Sequence, residues 1–184
     1  VTTVDVDLVS EAGLLALDGI YDNELPYDNM TLQASYDEET SNITVKELAM
    51  TARNVTAKVN TQISLSPDKI TAPITIRLDE LLQQQIKPLW PDALRGEGAE
   101  IWLTQKLSAG KVTDAVIRFD LTALRDETFD RWQSGVENIT ADFEIENMDI
   151  DYRAPLSPAR HAYGTGRYKG DVLAITINRA ALDD

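Results

Sequence analysis

The stretch V55-T-A-K-V-N-T-Q-I-S-L65 decides the fold: Val55, Ala57, Val59, Thr61, Ile63 and Leu65 alternate with Thr56, Lys58, Asn60, Gln62 and Ser64. Successive strand side chains point to opposite faces, so strict period two over this length reads as a β-strand with one oily and one wet face. Strands of that kind belong to antiparallel sheets.

Working outward, the same period recurs almost from end to end. Val4, Val6 and Leu8 alternate with Asp5 and Asp7, and Met30, Leu32, Ala34 and Tyr36 with Thr31, Gln33 and Ser35. A polar turn from Asp37 to Asn42 precedes Ile43 and Val45, which predicts a hairpin. After the Ser66-Pro67-Asp68 turn come Ile74, Ile76 and Leu78; later, Ala115, Ile117, Phe119 and Leu121 oppose Asp114, Arg118 and Asp120. Ile139, Ala141, Phe143 and Ile145 carry the oily set until Asn147, where parity flips to Met148, Ile150 and Tyr152. A bulge or tight turn there accounts for the flip. The last strands are expected at Tyr163 to Tyr168 and Val172 to Asn178, joined across Lys169-Gly170-Asp171.

Helical spacing is confined to the middle. Ala99, Trp102, Leu103 and Leu107 make one stripe within Glu97 to Leu107, stopped by Ser108-Ala109-Gly110. A shorter helix is expected from Asp79, as N-cap, to Ile86, with Pro88 forcing its end. The layout is therefore strands over 1–78, a helical joint over 79–110 and strands over 111–184: a mainly β chain, a curved antiparallel sheet with two short helices. Tyr36 with Ile43-Thr44-Val45 and Tyr168 with Ile175-Thr176-Ile177 form a weak internal echo, which suits a sheet growing by addition of hairpins.

Composition narrows function mainly by exclusion. The chain has 184 residues, of which 43% are hydrophobic, 17 are Lys or Arg and 31 Asp or Glu, for a formal charge of -14. The length suits one domain or two small ones. That charge, with no basic cluster, would repel a phosphate backbone, so nucleic acid is not an expected partner. With no Cys, disulfides, thiolate-bound metals and thiol nucleophiles are excluded. The apolar run around Leu14 to Leu17 is far shorter than the roughly 18 residues of a membrane-spanning helix. The chain opens at Val1 without Met and is read as a segment of a longer protein.

Each chemical constellation has a plain alternative. His161, the one His, lies beside Arg160 in a segment with Pro155 and Pro158 and reads as a surface loop residue; no Gly-x-Ser-x-Gly turn accompanies it. Asp126, Glu127 and Asp130 lack calcium-loop spacing and read as solvated loop charges. The pairs Asp5 with Asp7 and Asp149 with Asp151 each project from one strand face, where they hold a divalent ion or simply wet the face. Gly164-Thr165-Gly166, with no following helix, relieves crowding or marks a bulge. Asn29, Asn42, Asn54 and Asn138 match the glycosylation acceptor pattern, uninformatively in so Asn- and Thr-rich a chain. Trp90, Trp102 and Trp132 fall in or near the joint, where packing of helices on the sheet is the first explanation and ligand stacking the second. Catalysis is not expected, and no cofactor or metal is.

At the joint the sequence becomes distinctive. Leu89-Trp90-Pro91-Asp92-Ala93-Leu94, the Trp102-Leu103 pair, and Gly110-Lys111-Val112-Thr113-Asp114-Ala115 stand in order. Asp151-Tyr152 then leads into the crossing through Pro155 and Pro158, and Gly166 to Gly170 closes with Gly-x-Tyr-x-Gly. This order resembles YhdP-type members of the AsmA-like family, over residues 30 to 180 and most strongly 88 to 156. The resemblance implies a bacterial envelope protein: periplasmic, anchored in the inner membrane by a helix outside these residues, and flanked by further β-repeats. It further implies a β-groove that carries phospholipid acyl chains between inner and outer membrane. On that reading Val55, Val59, Ile63, Ile117, Phe119, Leu121, Phe143 and Ile145 are candidate groove lining, each with plain core as its alternative. A second reading is a non-catalytic envelope scaffold that binds a protein partner through an exposed sheet edge.

Overall fold

Val55–Leu65 is a strand in the computed structural model, which describes residues 2–17, 20–92, 95–96, 98–126, 131–151, 157–170 and 172–182. Val55 is buried, the other odd residues are half-buried and every even residue is exposed, as the alternation requires. In chain order the elements are β1 (Thr3–Ser10), β2 (Gly13–Leu15), β3 (Leu25–Tyr27), β4 (Asn29–Asp37), β5 (Asn42–Ala52), β6 (Val55–Leu65), β7 (Lys69–Leu82), α1 (Gln83–Leu89), α2 (Gly98–Gln105), β8 (Leu107–Ser108), β9 (Lys111–Asp126), β10 (Arg131–Ile150), β11 (Ala159–Lys169) and β12 (Val172–Leu182). One antiparallel sheet runs in the order β1-β4-β5-β6-β7-β9-β10-β11-β12, with β8 added on β10; β2 and β3 pair separately. The chain is thus mainly β with two short helices, the class its periodicity predicts.

Local chemistry explains the joins. Between β4 and β5, Asp37 Oδ1 accepts the amides of Glu39 at 2.9 Å and Thr40 at 3.1 Å, so a short carboxylate organises the turn. Arg53 and Asn54, at φ 51° and 63°, form the two-residue link from β5 to β6, the doubly positive geometry that matches strand twist. The Ser66 amide donates to Lys69 O at 2.8 Å across Pro67-Asp68.

Two one-residue insertions keep the oily side chains on one face. In β5 the register slips between Val45 and Leu48, and in β10 between Ile145 and Met148. Asn147 in the second has φ 53°, so the parity flip expected there is a bulge.

The described chain forms two compact units. The first comprises Val1–Leu15, Leu25–Arg77 and Ile117–Ile139; the second Ala16–Glu24, Leu78–Val116 and Thr140–Asp184. The second holds both helices and a closed core of Ile86, Leu107, Val112, Ala115, Phe143, Ile145, Met148, Ile150, Ala159 and Ala162, with Trp90, Trp102 and Leu103 packed against it. Each large side chain so buried contributes about 1.5–3 kcal/mol.

Several expectations are corrected. Asp79 is not a helix cap: β7 continues to Leu82, and the helix is Gln83–Leu89 with Pro88 inside it. An isolated helix of eight residues is marginal, whereas the ladder satisfies the backbone and Glu80 meets Lys111 at 2.7 Å. The Leu82 amide donates to Gln85 Oε1 at 2.8 Å, and Trp90 N to Lys87 O closes the end beyond Pro88. The second helix stops at Gln105 because Leu107 and Ser108 pair with Ile150 and Asp149. His161 is not in a loop; it sits in β11, at a second register slip opposite Met148 and Ile150, with φ 51°. Trp132 lies on β10 in the first unit and is 45% exposed, whereas both helices belong to the second. The hairpin echo fails in register: Tyr36 faces Ile43, whereas Tyr168 faces Leu173.

Candidate functional site

Cross-strand register in the first unit assembles an apolar face from single residues. Partners directly opposite share a face, which gives four rows across β1, β4, β5 and β6. They are Val4-Tyr36-Ile43-Ile63, Val6-Ala34-Val45-Thr61, Leu8-Leu32-Leu48-Val59 and Ser10-Met30-Met50-Ala57. At about 4.8 Å between strands and two residues between rows, the patch measures about 14 by 20 Å. Without the β5 insertion Leu48 and Met50 would point to the wet side.

The face is only partly covered. Val4, Val6 and Leu8 are 49%, 43% and 40% exposed, and Tyr36, Leu32, Leu48, Val59 and Ile63 half-buried. At one end β2 and β3 close in: Tyr27 and Ser10 hydroxyls meet at 2.8 Å, and Leu25 is buried. No described helix belongs to this unit. Thr61 Oγ1, on β6 at the end of the second row, is buried with no hydrogen-bond partner among the described residues.

The structure sorts the eight candidate lining residues. Val59 and Ile63 stand in these rows; Val55, opposite Ala52, is buried at their end. Ile117, Phe119 and Leu121 lie on β9 in the same unit and are half-buried. Phe143 and Ile145 belong to the core of the second unit, 9% and 1% exposed; Phe143 packs on Gly166 and borders an open depression, while Ile145 offers no surface to a ligand. The other members of the rows, Val4, Val6, Leu8, Leu32, Tyr36 and Leu48 among them, are absent from the candidate set. Turn lengths, which set hairpin register, were the signal that could have found them.

Most charged residues weighed as catalytic or metal-binding have partners of their own. Asp5 meets Lys46 at 3.4 Å. Arg160 lies 3.2 Å from Asp151 and 3.8 Å from Asp149, whose other oxygen accepts the His161 amide. His161 Nδ1 is 2.8 Å from Asn147 Oδ1. Of the acidic cluster, Asp126 ends β9, while Glu127 and Asp130, like Tyr152 to Leu156 of the resemblance, lie outside the described residues. Gly164 and Gly166 relieve crowding: a Cβ on Gly166 would sit 2.2 Å from the Phe143 ring, and one on Gly164 2.0 Å from Thr176 O.

Among the described residues two groups have displaced pKa values. Burial, then the Asp92 carboxylate, raises the Tyr21 hydroxyl, which donates to Leu89 O at 2.8 Å. Hydrogen bonds from Lys111 to Glu80 and Glu146 raise the Lys111 ammonium.

An open depression of about 600 Å³ in the second unit, part polar and part apolar, is lined by Asp114, Phe143, Glu144, Thr165, Thr176 and the Asp142-Arg167 ion pair, among others. No helix of the described chain is long and apolar enough to cross a membrane. Compared with protein-family models, curated proteins and solved structures, the chain matches none.

Proposed function

We propose that the first unit holds the acyl chains of a phospholipid on its apolar face, without catalysis, as a segment of a bacterial envelope protein that passes lipid between membranes. One observation carries this reading: four aligned apolar rows, exposed at Val4, Val6 and Leu8 and half-buried at most of their partners, stand in a unit without a described helix, whereas the second unit buries Leu107, Ile145, Met148 and Ile150 to 0–2% exposure. Each acyl methylene shielded from water contributes about 0.8 kcal/mol, so an oily strip lowers the cost of lipid transit with no bond made or broken. A wet opposite face, with Asp5, Asp7, Lys46 and Gln62, suits such a strip. The AsmA-like resemblance supplies the periplasmic setting and the anchor outside these residues; both belong to the proposal.

Native mass spectrometry after gentle extraction tests it. Phospholipid adducts are expected on the wild-type chain and lost in Val59→Asp, with strand content unchanged by circular dichroism. A clean apo mass for wild type would overturn the lipid reading.

A further inference from the structure

We propose that β1 is a docking edge for a separate extended peptide in which apolar and basic residues alternate. The inference stands whether or not the apolar face holds lipid. Among the described residues β1 pairs with β4 alone, so its outer backbone edge is open over eight residues. Proteins blunt such edges with charged side chains, Lys above all, or with Pro, bulges or short length. Thr3 to Ser10 contains neither Pro nor Lys, its only charges are Asp5 and Asp7, and its ladder with β4 runs without a register shift. The other edge strand, β12, has two register shifts in its pairing with β11.

Side chains specify the occupant. On one face Val4, Val6 and Leu8 stand 40–49% exposed and accept apolar neighbours. On the other, Asp5 is met by Lys46, while Asp7 heads the row Asp7-Gln33-Glu47, two carboxylates with no cation in the row. A Lys or Arg brought opposite Asp7 supplies the missing charge. A second copy is disfavoured: antiparallel pairing centred on Val6 sets Asp5 on Asp7, and pairing centred on Asp7 sets that carboxylate on its twin.

The probe is an acetylated eight-residue peptide alternating Val and Lys, compared with its Val-Glu counterpart and a Val-Lys version N-methylated at alternate residues. The full chain should bind the Val-Lys peptide, more weakly at high salt, with slowed amide exchange over residues 3–10. N-methylation should abolish binding, because charge remains but the ladder cannot form. Asp7→Lys should weaken Val-Lys binding about fivefold and favour the Val-Glu peptide. Equal binding of the Lys and Glu peptides, unchanged binding after N-methylation, or protection at β12 instead of β1 would overturn the proposal. So would a peptide-free dimer protected at β1.

Discussion

At the residue scale, the glycines of β11 show how a deleted side chain becomes a packing device. Phe143 and Gly166 are direct ladder partners, and the ring occupies the space a Cβ would need. Gly166→Ala should therefore cost about 1–3 kcal/mol in urea unfolding, the usual penalty of overpacking, and adding Phe143→Leu should recover part of it. Full additivity of the two losses would refute the coupling. Gly164→Ala meets Thr176 backbone oxygen instead, so trimming Phe143 should not rescue it. Tyr21 makes a pH prediction. Its hydroxyl is raised above the ordinary value near 10, so the unfolded chain loses that proton first. Stability is then intact below about pH 10 and falls as pH rises towards the folded-state value. Lys111, also raised, acts in the same direction. Tyr21→Phe should flatten the alkaline loss and cost about 1 kcal/mol at neutral pH for the missing bond to Leu89; thermal unfolding across pH 8 to 11 measures both.

At the element scale, the strands were legible and the helices less so. Val55–Leu65 was readable to its end residues because its two faces meet different solvents, which writes burial into every second letter. The Asn147 bulge was readable for the same reason, since only an inserted residue lets oily parity change from odd to even. The first helix was misplaced because Asp79 is a good cap in isolation but lies within a strand whose neighbours satisfy its backbone. The Arg53-Asn54 turn went unread, though its geometry suggests an improvement. Asn54 holds φ 63°, which Gly adopts without Cβ strain, so Asn54→Gly should stabilise the chain by about 0.5–1 kcal/mol in the denaturant midpoint. Exposure separates the candidate lining residues further. Ile145→Asp places a carboxylate where 1% of the residue reaches solvent and should unfold the chain, while Val59→Asp, on a half-buried face, should leave a cooperative transition. Near-ultraviolet circular dichroism distinguishes the two outcomes.

At the scale of the whole molecule, two apolar sheet faces have different fates. In the second unit Trp90, Trp102 and Leu103 pack on the core; in the first, Val4, Val6 and Leu8 stay exposed and most of their row partners half-buried. The native chain should accordingly enhance fluorescence of an apolar dye such as ANS, and Leu8→Thr with Leu32→Thr should reduce that signal while preserving the unfolding midpoint to within about 1 kcal/mol. An unchanged dye signal would place the binding surface elsewhere. The β class, the antiparallel pairing, the oily and wet faces and the scarcity of His and Cys are readable from the residues alone. They follow from local alternation and composition, which need no knowledge of distant residues. Which oily residues are closed core and which are surface emerges with the folded chain. Phe119, Phe143, Val59 and Ile145 carry the same periodic signature, and what covers a strand face comes from chain segments far away in sequence. The same holds for the charges: that Asp5 has Lys46 while Asp7 has only Gln33 and Glu47 in its row depends on register across three strands, where one residue of slip exchanges the faces.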